Sequence, residues 1–171
     1  LGGAERLHLR LVHEAGVIHR DVKPSNVLIS SDAKNQAHLL DFGTAKTAER
    51  SVPGKEKLTR DGALLGTLEY MAPEALLSLP GADHRVDVYA LGVTLYECLT
   101  GVVPFDGHIG QILMRLTAED PPALTAHPGV PARLAETIHR SLRREAGERF
   151  DNMADFAIAL AECCSQTPET V

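Results

Sequence analysis

The stretch "VIHRDVKPSNVLI", Val17 to Ile29, sets a histidine, an arginine, an aspartate, a lysine and an asparagine between two apolar flanks. So many hydrogen-bonding side chains on one short loop call for a chemical reason. The flanks call for a scaffold in which the loop can be anchored.

The surrounding chain is suited to supply one. It has 171 residues, of which 44% are hydrophobic, enough for a single well-buried core. The net charge is -6 and no basic stripe alternates with aromatics, so nucleic acid is not an expected partner. Three cysteines, Cys98, Cys163 and Cys164, form an odd set with two adjacent members. That is not a disulfide framework and suits a reducing cytoplasm. None lies in a C-x-x-C pair or beside clustered histidines, which argues against a zinc site.

The opening "LGGAERLHLRL" lacks the basic-then-apolar order of a signal peptide. The most apolar stretch, Val86 to Phe105, contains Asp87 and Glu97 and ends in Gly101 and Pro104. A spanning helix needs about 20 predominantly apolar residues with few charges, so this stretch reads as a buried core helix. The expectation is a cytoplasmic chain with no membrane segment.

Apolar spacing predicts a helix from Ala4 to Gly16, on Leu7, Leu11, Val12 and Ala15. Two β-like runs follow, "NVLI" and "AHLLDF", and the polar turn between them predicts a small hairpin. From Thr44 to Gly66 no period is clean; so long an irregular segment points to function or disorder. After Pro73 the pattern turns helical, near Glu74–Leu77, Val86–Leu99, Ile109–Thr117, Pro131–Leu142 and Asn152–Cys163. Asp151 is the expected N-cap of the last helix. The fold class predicted is mainly α with a small β-hairpin element.

Against this background "HRDVKPSN" resembles the catalytic loop of eukaryotic-type protein kinases, H-R-D-L-x-x-x-N, with Val22 in the leucine position. Four further landmarks follow in the family's order. They are "DFG" at Asp41, Phe42 and Gly43, "GTLEYMAPE" from Gly66 to Glu74, "DVYALGVTLYECLTG", and "ERF" around Arg149. A lone H-R-D carries little weight; five ordered motifs over nearly the whole chain carry much more. Lys23, two residues after the aspartate, resembles the serine/threonine class, and "HEAGVIHRDVKPSNVLI" is similar to the bacterial branch. The resemblance implies the large, C-terminal lobe of a serine/threonine kinase, transferring the γ-phosphate of ATP to a protein Ser or Thr hydroxyl. It divides the chain into a lobe over residues 1–164, with the catalytic loop at 17–29, the activation segment at 41–74 and a helical subdomain at 75–164. Residues 165–171 would form a frayed tail.

Phosphoryl transfer asks a protein chiefly to position groups and neutralise charge. The resemblance implies Asp21 as proton acceptor and Lys23 as partner of the γ-phosphate. Asn26 and Asp41 become ligands of Mg²⁺, a cation that prefers oxygen donors, with two ions expected. Leu28 floors the adenine. Arg20 anchors a phosphorylated activation segment, with Thr59 the preferred phosphosite. Thr67 bridges Asp21 and Lys23. Structural roles fall to His19 under Phe42, to Gly43 as a tight turn, to Asp87 as an acceptor for loop backbone, and to a Glu74–Arg149 ion pair.

No Gly-rich G-x-G-x-x-G loop and no V-A-I-K lysine appear in this sequence, so the N-terminal lobe is expected to be absent from it. The expected partners are therefore a protein substrate and the missing lobe or flanking domains. Little turnover is expected of these residues alone. Two readings compete: a segment of a longer kinase, or a non-catalytic remnant acting as a docking or regulatory module. The intact set Asp21, Lys23, Asn26 and Asp41 favours the first.

Overall fold

The computed structural model describes residue 13 and residues 17–31, 37–40, 46–47, 68–77 and 79–165. The helix expected over 4–16 (His13 apart), Asp41, Phe42, Gly43, Thr59, Thr67 and residues 166–171 lie outside the described residues.

Among the described residues from Pro73 onward, five helices follow one another: α1 (Pro73–Leu76), α2 (Arg85–Thr100), α3 (Ile109–Ala118), α4 (Ala132–Ser141) and α5 (Met153–Ser165). Each overlaps a helix expected from sequence, with ends differing by a residue or two. Helix α2 is the apolar stretch around Val86, and its first three turns are buried almost all round. It stops at Gly101, whose N–H still bonds the Glu97 carbonyl at 2.7 Å and whose φ of 78° turns the chain out of the helix. Glycine takes that left-handed conformation without the penalty a Cβ would bring.

The core is assembled on α2. Tyr89, Val93 and Tyr96 pack with Phe105, Ile112 and Leu116 from α3 and its approach, and with Leu124, Ala135, Ile138 and Leu142. A second cluster joins Val88 to Phe150, Met153 and Phe156, with the two phenylalanine rings stacked 5.0 Å apart. Each such side chain contributes roughly 1.5–3 kcal/mol by leaving water. Helix α4 approaches α2 closely at Gly92, where an added Cβ would lie 2.1 Å from Ser141 Oγ.

Strands β2 (Val27–Ile29) and β3 (Ala37–Leu39) form the expected antiparallel hairpin, pairing Val27 with Leu39 and Ile29 with Ala37. A second antiparallel pair was not expected. Strand β1 (Val17–Ile18) pairs with β4 (Lys46–Thr47), inside the segment that reads as irregular. A two-residue ladder is too short to leave a periodic signal, and its partners lie far apart in sequence.

The cap of α5 also differs from expectation. Asn152, not Asp151, caps it: its Oδ1 accepts the Asp155 N–H and its Nδ2 donates to Asp155 Oδ2, both at 2.9 Å. The first bond is the ordinary N-cap contact to the third helical N–H, and the second joins the two side chains. Asp151 instead offers its carbonyl to His84 Nε2 at 2.7 Å. Among the described residues no helix is long and apolar enough to cross a membrane.

Candidate active site

The loop from His19 to Asn26 leaves β1 and enters β2, so its two ends are fixed by separate strand pairs. Between them it is held from below by Asp87, which is wholly buried on the first turn of α2. Asp87 Oδ2 accepts the His19 N–H at 2.9 Å and Oδ1 accepts the Arg20 N–H at 2.8 Å. Just after these two N–H groups the chain turns sharply, Arg20 taking φ 67°. For a residue with a Cβ that conformation costs on the order of 1–2 kcal/mol, which the charged hydrogen bonds offset. His13 Nε2 donates to Asp87 Oδ2 at 2.7 Å. Together these donors satisfy a buried carboxylate that would otherwise be costly.

His19 is buried with both ring nitrogens engaged. Nδ1 accepts the Asp21 N–H at 3.3 Å, which leaves Nε2 as the protonated nitrogen that donates to the Leu40 carbonyl at 3.2 Å. The ring thus ties the loop to the residue preceding Asp41, as the Leu40 N–H also does through its 2.7 Å bond to the Asn26 carbonyl.

Lys23 is extended, and Pro24 then opens a short 3-10 turn ending at Asn26, its φ already set for that turn. This turn brings Asn26 back over Asp21. Asn26 Nδ2 donates to the Asp21 carbonyl at 2.8 Å and to Asp21 Oδ2 at 2.9 Å. Asp21 Oδ1 is buried and lacks a hydrogen bond of good geometry, although the Lys23 ammonium lies 2.9 Å away. The carboxylate is therefore oriented through Oδ2 by Asn26, with Oδ1 turned to the Lys23 ammonium. Asn26 Oδ1 remains as an acceptor facing away from its committed amide nitrogen.

Beside the loop, Leu28, Ile29 and Leu40 expose 54%, 57% and 45% of their surface. These are large values for apolar side chains clustered on one hairpin.

Further from the loop, Arg149 is buried and uses every N–H. Nη1 and Nη2 grip Glu74 Oε1 and Oε2 at 2.7 and 2.8 Å, while Nε, Nη1 and Nη2 also donate to the carbonyls of Arg143, Arg85 and Arg144. The guanidinium lies over the Tyr89 ring, 4.9 Å from its centroid. Burial raises the Tyr89 phenol, with Arg149 opposing the shift. Tyr70 donates to Glu97 Oε2 at 2.6 Å. Burial, then that bond, raises its phenol, and burial with Glu97 and Asp106 nearby raises the Glu69 carboxyl.

The model of the protein kinase domain matches residues 7–167. The chain belongs to the protein kinase family. This kinase chain is 38% identical over 156 residues to serine/threonine-protein kinase Pkn1 of Myxococcus xanthus, covering 89% of the chain and 22% of that relative. It is 40% identical over 159 residues to PknE of Mycobacterium tuberculosis, covering 88% and 25%. To PknH of Mycobacterium bovis it is 37% identical over 159 residues, covering 92% and 25%. The chain thus spans a quarter or less of the length of these curated relatives.

Of the expected site residues, the fold brings Asp21, Lys23 and Asn26 into one cluster and sets Asp87 and His19 beneath it. Glu74 and Arg149 meet elsewhere, bracing the kinase chain between α1 and the turn before α5. Sequence reasoning missed His13, which shares the Asp87 carboxylate, and the Tyr70–Glu97 bond. His13 lies on a stretch read only for its apolar face, so its polar partner left no pattern to find.

Proposed function

We propose that this chain is the C-terminal lobe of a serine/threonine protein kinase, with the site on the Asp21 loop. The observation that carries the reading is the cluster around Asp21: Oδ2 is fixed by Asn26 at 2.9 Å, and Oδ1 faces the Lys23 ammonium at 2.9 Å. A substrate Ser or Thr hydroxyl placed there gives its proton to Oδ1 as its oxygen bonds to the γ-phosphorus. The bond from phosphorus to the β,γ-bridging oxygen breaks, and ADP leaves.

Lys23, already beside that oxygen, is the cation that meets the transferring phosphoryl group. Its shift from Asp21 to phosphate frees the carboxylate as the substrate arrives. Asn26 Oδ1 and the Asp41 carboxylate are oxygen donors of the type Mg²⁺ prefers, and they would hold that ion, which neutralises charge on phosphate oxygens. Leu28, exposed on its hairpin, suits the flat apolar underside of adenine. Arg20 is the anchor for a phosphorylated Thr59, and Thr67 the bridge between Asp21 and Lys23. His19, Phe42, Gly43, Asp87, Glu74 and Arg149 take structural roles. The lobe covers residues 1–164, and by themselves these residues turn over slowly, since the Gly-rich loop and its partner lysine are not among them.

The test is transfer from γ-labelled ATP to a generic protein acceptor by the full-length protein. Label on serine and threonine supports the reading. A protein that folds and binds nucleotide yet transfers no label would favour a docking module.

A further inference from the structure

Two backbone N–H groups, one in the first turn of α3 and one at Leu124 beyond its end, are held by imidazole nitrogens. At the start, His108 is the N-cap: its Nδ1 accepts the Gln111 N–H at 3.4 Å, a donor shared with the His108 carbonyl at 2.9 Å. Gln111 Oε1 returns the bond by accepting the His108 N–H at 3.2 Å. Gly107, with φ 117°, leaves room for that side chain, since a Cβ there would meet Oε1 at 2.5 Å. Past the end, the wholly buried Leu124 donates its N–H to His139 Nε2 on α4 at 3.0 Å.

Helix N-caps are normally Ser, Thr, Asp or Asn, whose oxygens accept at any physiological pH. An imidazole nitrogen accepts only while unprotonated, and imidazoles as a class titrate between about pH 5 and 8. We propose that α3 and the loop to Leu124 form an acid-releasable unit, latched at one end by neutral His108 and at the other by neutral His139.

Protonation turns each acceptor into a donor facing another donor. Asp106, two residues before His108, is the nearest acidic group in sequence, but it is paired with Arg115 at 3.3 Å. At His139 the neighbours are Arg143, which resists protonation, and Asp120, which favours it; burial resists it further. Arg144, bonded to the Leu116 and Glu119 carbonyls, remains as a pH-independent tie. Loosening is therefore confined to the two ends.

Hydrogen exchange by mass spectrometry on the full-length protein tests this at pH 7.5 and 5.5, after correction for intrinsic exchange. Loss of a cap worth about 1 kcal/mol predicts about fivefold lower protection in peptides covering 108–127 at pH 5.5. Peptides from Val88 to Tyr96 should keep theirs. His108→Asn, which retains an acceptor on an exposed cap, should remove the response near Gln111 alone, and His139→Gln the response near Leu124. Equal protection of 108–127 at both pH values, or a loss shared equally by α2, would overturn the proposal.

Discussion

The Arg20 N–H and the Asp87 carboxylate, 67 residues apart in sequence, meet at 2.8 Å. Asp87 also holds the His19 N–H, so one helical residue fixes the backbone from which Asp21 projects. Asp87→Ala strands three donors, the His19 and Arg20 N–H groups and His13 Nε2. At about 1–3 kcal/mol for each unsatisfied group, the expected loss is roughly 3 kcal/mol, read as a lower denaturant midpoint. Turnover in the full-length protein should fall with it, while Asp87→Asn, which keeps one acceptor oxygen, should lose less of both. A loss of stability with undiminished turnover would contradict this role.

The Glu74–Arg149 pair yields a different prediction. Glu74→Ala leaves a buried guanidinium without its carboxylate and should cost about 3–5 kcal/mol. Arg149→Lys cannot replace five directed N–H groups with three, and it should destabilise nearly as much. Urea unfolding of both variants checks this. A double substitution of the pair by apolar residues should cost less than the two single losses summed.

Gly92 is a packing prediction. In Gly92→Ala the new Cβ meets Ser141 Oγ at 2.1 Å and Leu142 Cδ2 at 3.1 Å, so α2 and α4 must move apart. The expected cost is about 1–3 kcal/mol. Adding Ser141→Ala removes the closest atom and should recover part of the melting temperature. No recovery would place the strain elsewhere.

The His139 imidazole carries a sign that urea midpoints can read. Burial, and then Arg143, holds it below its ordinary value of 6.5, with Asp120 opposing. In that window the unfolded chain binds more protons than the native one, so stability rises with pH. Its contribution is complete above 6.5 and is lost as pH falls through the depressed native value. His139→Gln should show a smaller drop in midpoint between pH 7.5 and 5.5 than the unmodified protein.

What was legible in the sequence follows from range. Helix α2 announced itself through continuous apolar composition and Gly101, and the hairpin through two β-rich runs across a polar turn. Asp21, Lys23 and Asn26 stood in one octapeptide, so their neighbourhood was visible before any fold was known. The bonds of His13 and Tyr70 to Asp87 and Glu97 join residues 74 and 27 positions apart, and no local pattern encodes them. The β1–β4 ladder is two residues long, and the choice of Asn152 over Asp151 as cap turns on a single residue of register. Such details are set by tertiary packing, which periodicity does not record.

The central claim is that Asp21 Oδ1 accepts the substrate proton. Single-turnover phosphotransfer by full-length Asp21→Asn, with folding checked by circular dichroism and nucleotide affinity, tests it most directly. The amide keeps the shape and can still bond to Asn26, but it cannot take a proton. General-base loss predicts a rate lower by about 10²–10⁴-fold with the fold and nucleotide binding retained. A rate near that of the unmodified protein would contradict the assignment of Asp21 as the proton acceptor.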